Sequence, residues 1–357
     1  MFRLHFNLLS WLIFLSLSAA LHGRPHAQDP CQDGARALAE KNMAEAEVSL
    51  KQCLSLRPDW LTPYLQLAAL YQQQQKDEAL IEIAEKGLER FPEEPRFYLT
   101  VGNHAGRKGN LDHAVTTFSE GLKRWPENTS LRNGLLQAFL ARGLARLDRN
   151  QNEEAEADLR QALKLDERNA EGLLNLGRAL HNLNRSVEAG EVLDRLLEID
   201  PSTPLVQFHR GMVLHGLGEF DAAMEALTQE IRSNPAYPPS YYLRGLCLQF
   251  KARWREAAAD LALAVEKMPE HTLAVYELGR SLTHLGETQK AEQAFRKALQ
   301  LDPSNAKALY SLGRLLAAGG RQQEAQRMFE RAARANSAER EADGAIRFQS
   351  EHSRDPR

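Results

Sequence analysis

The chain has 357 residues, 43% of them hydrophobic and 26% charged, with 45 Lys and Arg set against 48 Asp and Glu for a formal charge of −3. This is ordinary globular composition, and its near-neutral balance argues against a nucleic-acid partner, which demands a basic face. Length alone suggests two or three domains, but internal periodicity has to be settled first.

Residues 1–27 stand apart from the rest. Arg3 gives a positive start, and an apolar run follows from Phe6 to Leu21, interrupted by Asn7, Ser10, Ser16 and Ser18. Ser18-Ala19-Ala20 has the small-x-small form of a signal-peptidase site, and Pro25-His26-Ala27 is a second candidate. The segment reads as a secretory signal peptide. The alternative is an uncleaved anchor, since the run is near the lower limit of a membrane span. No cysteine sits just after the run to carry a lipid. The expected location is therefore periplasmic or secreted, with membrane contact only through this segment where it is retained.

From residue 28 onward one pattern recurs. Gly34, Gly102, Gly143, Gly177, Gly211, Gly245, Gly279 and Gly313 form a column spaced by 34 residues, with Ala68 in the vacant slot and one step of 41 after Gly102. Twelve residues on comes a small residue, as at Ala46, Ala189 and Ala291, and four later a large apolar one, as at Leu50, Leu193 and Phe295. Prolines such as Pro58, Pro201, Pro269 and Pro303 close the unit. Apolar residues at i, i+3 and i+4 predict helices. The small residues allow close helix approach, and proline ends the second helix. Polar or glycine-containing turns such as Lys108-Gly109-Asn110 and Leu285-Gly286-Glu287 separate the two helices of each unit.

The spacing of Leu173, Leu176-Gly177, Leu180, Ala189, Leu193 and Pro201, and again of Val275, Leu278-Gly279, Leu282, Ala291, Phe295, Ala298 and Pro303, resembles the tetratricopeptide repeat (TPR). About nine such units lie between residues 27 and 339. The resemblance implies an all-α, right-handed α-solenoid of helix-turn-helix repeats, with repeats one to three in residues 28–128 and four to nine in residues 129–339.

Cys31 and Cys53 fall in the two helices of the first repeat, opposite one another across a turn near Asn42. In an exported chain they can oxidise. They are either a disulfide that staples the end of the stack or two free thiols in a small-residue seam. Cys247 has no partner in sight and reads as a core filler.

Two repeats depart from the pattern. In the second, the turn before Ala79 reads as one residue short. The fourth carries seven extra residues, about two helical turns, which predicts one long helix over 130–149 and a bend between two sub-arrays. The ninth repeat ends at Ser337, and Ala338 to Phe348 reads as a separate capping helix followed by a disordered tail to residue 357.

No P-loop, dinucleotide fingerprint, His-Glu-x-x-His or Gly-x-Ser-x-Gly is present, nor a pair of Cys-x-x-Cys motifs. The reading is non-catalytic, without cofactor or metal. His181, His209 and His215 could in principle ligate a metal, but solvated groove histidines are the favoured alternative.

The informative stripe is Phe208, Tyr242, Tyr276 and Tyr310, one per repeat, each a helical turn before Met212, Leu246, Arg280 and Arg314. The resemblance implies that these first-helix positions line a concave face, with Asn175, Arg178 and His209 on or beside it. Aromatic rings next to arginines are enriched at binding hot spots. The competing reading is that the rings pack between neighbouring first helices. The expected function is a scaffold that binds an extended peptide or a protein partner in the groove. The alternative is an accessory subunit of an envelope secretion, polysaccharide-export or glycosyltransferase assembly.

Overall fold

The computed structural model describes residues 29–352, with side chains as far as Ser337. The expected signal segment and the last residues of the expected tail lie outside that range. The described residues form eighteen helices and no strand. The chain divides into two compact units, one up to His104 and one from Ala105.

Unit 1 holds α1 (Pro30–Ala39), α2 (Met43–Leu56), α3 (Leu61–Gln73), α4 (Asp77–Arg90) and most of α5 (Pro95–Arg107). Helix α1 packs on α2, α2 on α3 and α3 on α4. Cys31 and Cys53 are bonded to each other, with their Cα atoms 4.8 Å apart, and both residues are buried.

Unit 2 continues with α6 (Leu111–Arg124), α7 (Thr129–Asp148), α8 (Asn152–Leu165), α9 (Ala170–Asn182), α10 (Ser186–Ile199), α11 (Val206–Gly216) and α12 (Phe220–Ser233). It is completed by α13 (Pro238–Phe250), α14 (Trp254–Lys267), α15 (Thr272–His284), α16 (Thr288–Leu301), α17 (Ala306–Ala318) and α18 (Gln322–His352). From α6 to α18 every helix packs on the next. The architecture is that of an α-solenoid, in which odd-numbered helices are the first and even-numbered helices the second of each hairpin.

The glycine column has a direct steric cause. A Cβ placed on Gly34, Gly143, Gly177, Gly211, Gly245, Gly279 or Gly313 would come within 2.6–2.9 Å of the large side chain 16 residues on, from Leu50 to Phe329. The second helix therefore seats that side chain directly on the glycine backbone. Hairpin two solves the same problem by exchange. Ala68 has a Cβ, and the residue 16 on is Ala84, while the large residue has moved to Leu80. Its turn is not short, contrary to the sequence reading. Gln75 takes a left-handed φ of 57° at the place where Gly109, Gly218, Gly286 and Gly320 take 74–80°.

Helix α7 spans Thr129–Asp148, 20 residues. It packs on α6, α8 and α9, because two added turns bring its apolar face back into phase. The unit boundary falls inside α5, not at this insertion. At the other end, no break occurs at Ser337. The second helix of the ninth hairpin runs on to His352 as one helix of 31 residues, since the stretch holds no proline and a single glycine, Gly344.

Candidate functional site

Within unit 2 the first helices touch one another, α7 to α9, α9 to α11, α11 to α13, α13 to α15 and α15 to α17, while among the described residues no second helix makes a comparable contact with the next second helix. The first-helix layer is the crowded, inner side of this stack. Every residue of the aromatic and arginine stripe lies on it.

The layer treats those residues differently. Phe208 and Tyr276 are buried, each 8% exposed. Phe208 packs edge-on against His209 and Tyr237, and Tyr276 lies against Phe295. These two rings fill seams and are not open surface, because the following hairpin covers them. Tyr242 is half-buried beside His271, ring centroids 4.9 Å apart. Burial, with the Glu277 carboxylate nearby, pushes its phenol up to about 12. Tyr310 is 54% exposed, for α17 is the last first helix among the described residues.

The cations also separate. Arg178 donates to the buried Asn175 Oδ1 at 2.8 Å, a neutral acceptor that leaves its charge uncompensated. Arg280 is tied to Glu277 at 2.7 Å and reaches Gln249 Oε1 at 3.5 Å. Gln249 is itself buried and donates to the Glu277 carbonyl and to Ser281 Oγ, linking α13 to α15. Arg314 is exposed and makes no ion pair among the described residues. Met212 and Leu246 are half-buried between these charges. The inner layer thus offers two uncompensated guanidiniums, apolar surface between them and an open tyrosine. It can accept carboxylates and apolar side chains; among the described residues no metal-holding cluster is present.

Two tetratricopeptide repeat profiles match the chain, one over residues 140–204 and 242–306 and the other over residues 282–346. The chain is a tetratricopeptide-repeat protein. PilF of Pseudomonas aeruginosa shares its fold, at 19% identity over 63% of this chain and 99% of that one, with a TM-score of 0.51. Yeast Tom70 is 15% identical over 90% of this chain and 96% of its own, with a TM-score of 0.41. YrrB, described as a TPR protein with an unusual peptide-binding site, is 22% identical over 53% of this chain and 97% of its own, with a TM-score of 0.45. No curated protein sequence matches the chain. The fold of this TPR protein is a scaffold of the kind used for protein–protein interaction, in a family that is generally non-catalytic.

Of the three histidines of this TPR protein, His181 on α9 lies near both His209 and His215 on α11. Burial pulls His209 down to about 3, helped by the charges of Arg178 and His181, and it lowers His181 and His215 as well. His181 Nδ1 and His215 Nε2 are buried without a hydrogen-bond partner. Burial thus favours the neutral form of all three imidazoles, and at His209 the Arg178 guanidinium adds to it, which makes a poor metal site and a good acid sensor of stability. Unfolded histidine titrates near 6.5. Below that pH the unfolded chain binds protons that the folded seam refuses, so stability is full above about 6.5 and falls as the pH drops. The expected loss by pH 5 is about 1–2 kcal/mol. Urea midpoints at pH 7 and pH 5 check it, and His181→Gln with His209→Gln should flatten the difference.

A further set of side chains was not singled out by the aromatic stripe. Phe220 and Trp254, and likewise Phe250 and His284, are spaced 34 apart. That spacing was the available signal, but the residues sit in two slots of different helices. Their meeting depends on how one hairpin abuts the next.

Proposed function

We propose that the inner face of unit 2, from Arg178 to Arg314, binds an extended segment of a protein partner. The carrying observation is the pair Tyr310 and Arg314, one helical turn apart on α17 and both exposed. A large ring beside an uncompensated guanidinium combines rigid apolar area with charge-assisted bonds to carboxylate. Arg178 and the half-buried Tyr242 extend the same layer. The matching segment carries acidic groups at the two ends and apolar side chains over Met212 and Leu246. Affinity is shared among many modest contacts, with no single dominant pocket.

The protein acts outside the cytoplasm in this reading. The residue pattern of the first 27 positions and the buried Cys31–Cys53 bond support it, since disulfides persist in oxidising compartments.

The test is capture of partners from the source envelope fraction by the native chain and by a Tyr310→Ala, Arg314→Ala, Arg178→Ala variant, each at matched helicity and melting temperature. A partner bound by the native chain should be held at least tenfold more weakly by the variant. Equal capture by both would move the interface off this face.

A further inference from the structure

At the edge where first helices end and second helices begin, hairpins six to eight carry a repeated aromatic arrangement. Phe220, opening α12, stacks on Phe250, closing α13, with ring centroids 4.5 Å apart and planes 9° apart. One hairpin on, Trp254, opening α14, stacks on His284, closing α15, at 3.7 Å and 3°. His215 stands edge-on to both rings of the first pair. The equivalent slots on either side hold Ser186 with Gly216 and Thr288 with Ala318, so the ring pairs are confined to the middle of unit 2. Phe250 is 66% exposed, His284 is exposed, and Leu217, at the end of α11, is 40% exposed. Burial does not explain rings placed this way.

We propose that this strip is a docking surface for an uncharged, proline-rich segment in the polyproline II conformation. Spacing is the first argument. Packed helices lie about 8–10 Å apart, so ring pairs recur at about that interval. A polyproline II helix turns once in three residues and about 9 Å. A proline at every third position therefore meets one ring pair per turn. Hydrogen bonding is the second. The Trp254 indole N–H and the His284 imidazole have no partner among the described residues, and a polyproline II backbone has no internal hydrogen bonds, leaving its carbonyls open. A helical partner satisfies its own carbonyls. Charge is the third. Lys251 is paired with Asp221, Arg253 with Glu256 and Lys290 with Glu287. The exposed Glu219 and Arg255 that remain are of opposite sign. A surface this balanced suits an uncharged ligand. The strip lies at the hairpin turns, and the inference does not depend on the inner-face reading.

The experiment is calorimetric titration of the full chain with an oligoproline of about nine residues, long enough for three turns. The expected result is saturable binding, weakened about tenfold or more by Phe250→Ala and by Trp254→Ala and unchanged by Tyr310→Ala with Arg314→Ala. His284→Ala serves as the second ring variant if Trp254→Ala lowers the melting temperature. The proposal is overturned by absence of saturable binding, by equal binding in the ring variants, or by preferential binding of an amphipathic helical peptide or a neutral oligosaccharide of matched length.

Discussion

Replacing Asp158 with Ala is expected to cost unit 2 about 3 kcal/mol or more. Asp158 is 3% exposed. It accepts two hydrogen bonds from Arg142, at 2.9 and 2.7 Å, and one from Arg146 at 2.6 Å. Truncation leaves two guanidiniums in a half-covered seam without their carboxylate, and an unpaired buried charge is far more costly than the pair is favourable. Arg142 keeps a contact with Asp112 at 2.7 Å, which limits the loss. The next hairpin shows what the seam prefers without charge, because Leu176, Leu180 and Val192 stand where Arg142, Arg146 and Asp158 stand. The triple change Arg142→Leu, Arg146→Leu, Asp158→Val should therefore return stability to within about 1–2 kcal/mol of the native chain. Denaturant midpoints for the single and triple variants decide it. A harmless Asp158→Ala would mean that the ion pair is already solvent-screened. Arg244 and Asp260 repeat the arrangement, at 2.7 and 2.8 Å.

Opening the Cys31–Cys53 bond by changing both residues to Ser should weaken the first hairpin by about 3 kcal/mol, the loop-entropy value for residues 22 apart. The bond ties α1 to α2 at a stack end, where α1, only 10 residues long, has no preceding hairpin in the described chain to lean on. Hydrogen exchange is the fitting measurement. Amides of α1 and α2 should lose protection while those of α9 to α16 keep theirs, since each helix contacts only its near neighbours. Uniform loss along the whole chain would show that the array unfolds as one cooperative block. Cys247 offers no replacement partner, as it is buried and its thiol is pushed up to about 11.

Much of this fold can be read from the residues because the period is a packing rule. Gly34 and every glycine of the column from Gly143 onward face a large residue 16 positions later, and both are visible in the chain. The exchange in hairpin two was hidden because Ala79 and Leu80 each offered a plausible register, and only the backbone shows that Gln75 makes the ordinary turn. The aromatic stripe was legible as a set of slots but not as a surface. Phe208, Tyr242, Tyr276 and Tyr310 occupy one slot, yet their exposure is set by what the following hairpin places over them. For Tyr276, α17 follows; for Tyr310, no further first helix follows among the described residues. The ion pair of Arg280 with Glu277 was equally invisible, and it takes one expected cation out of free use.

Helix α7 sets a rule for how the length of this protein can drift. Its insertion is seven residues, the smallest addition that nearly completes whole helical turns and leaves both flanking seams matched. A gain of two or five residues would turn the downstream face of the same helix away from its neighbours. A gain of 34 adds a complete hairpin and disturbs only the two junctions it creates. Insertions and deletions that survive in descendants of this gene should therefore come, inside helices, near whole numbers of turns, of which seven residues is the first close match, or near 34, with other sizes confined to the turns. The heritable grain of the array is coarser than the single codon.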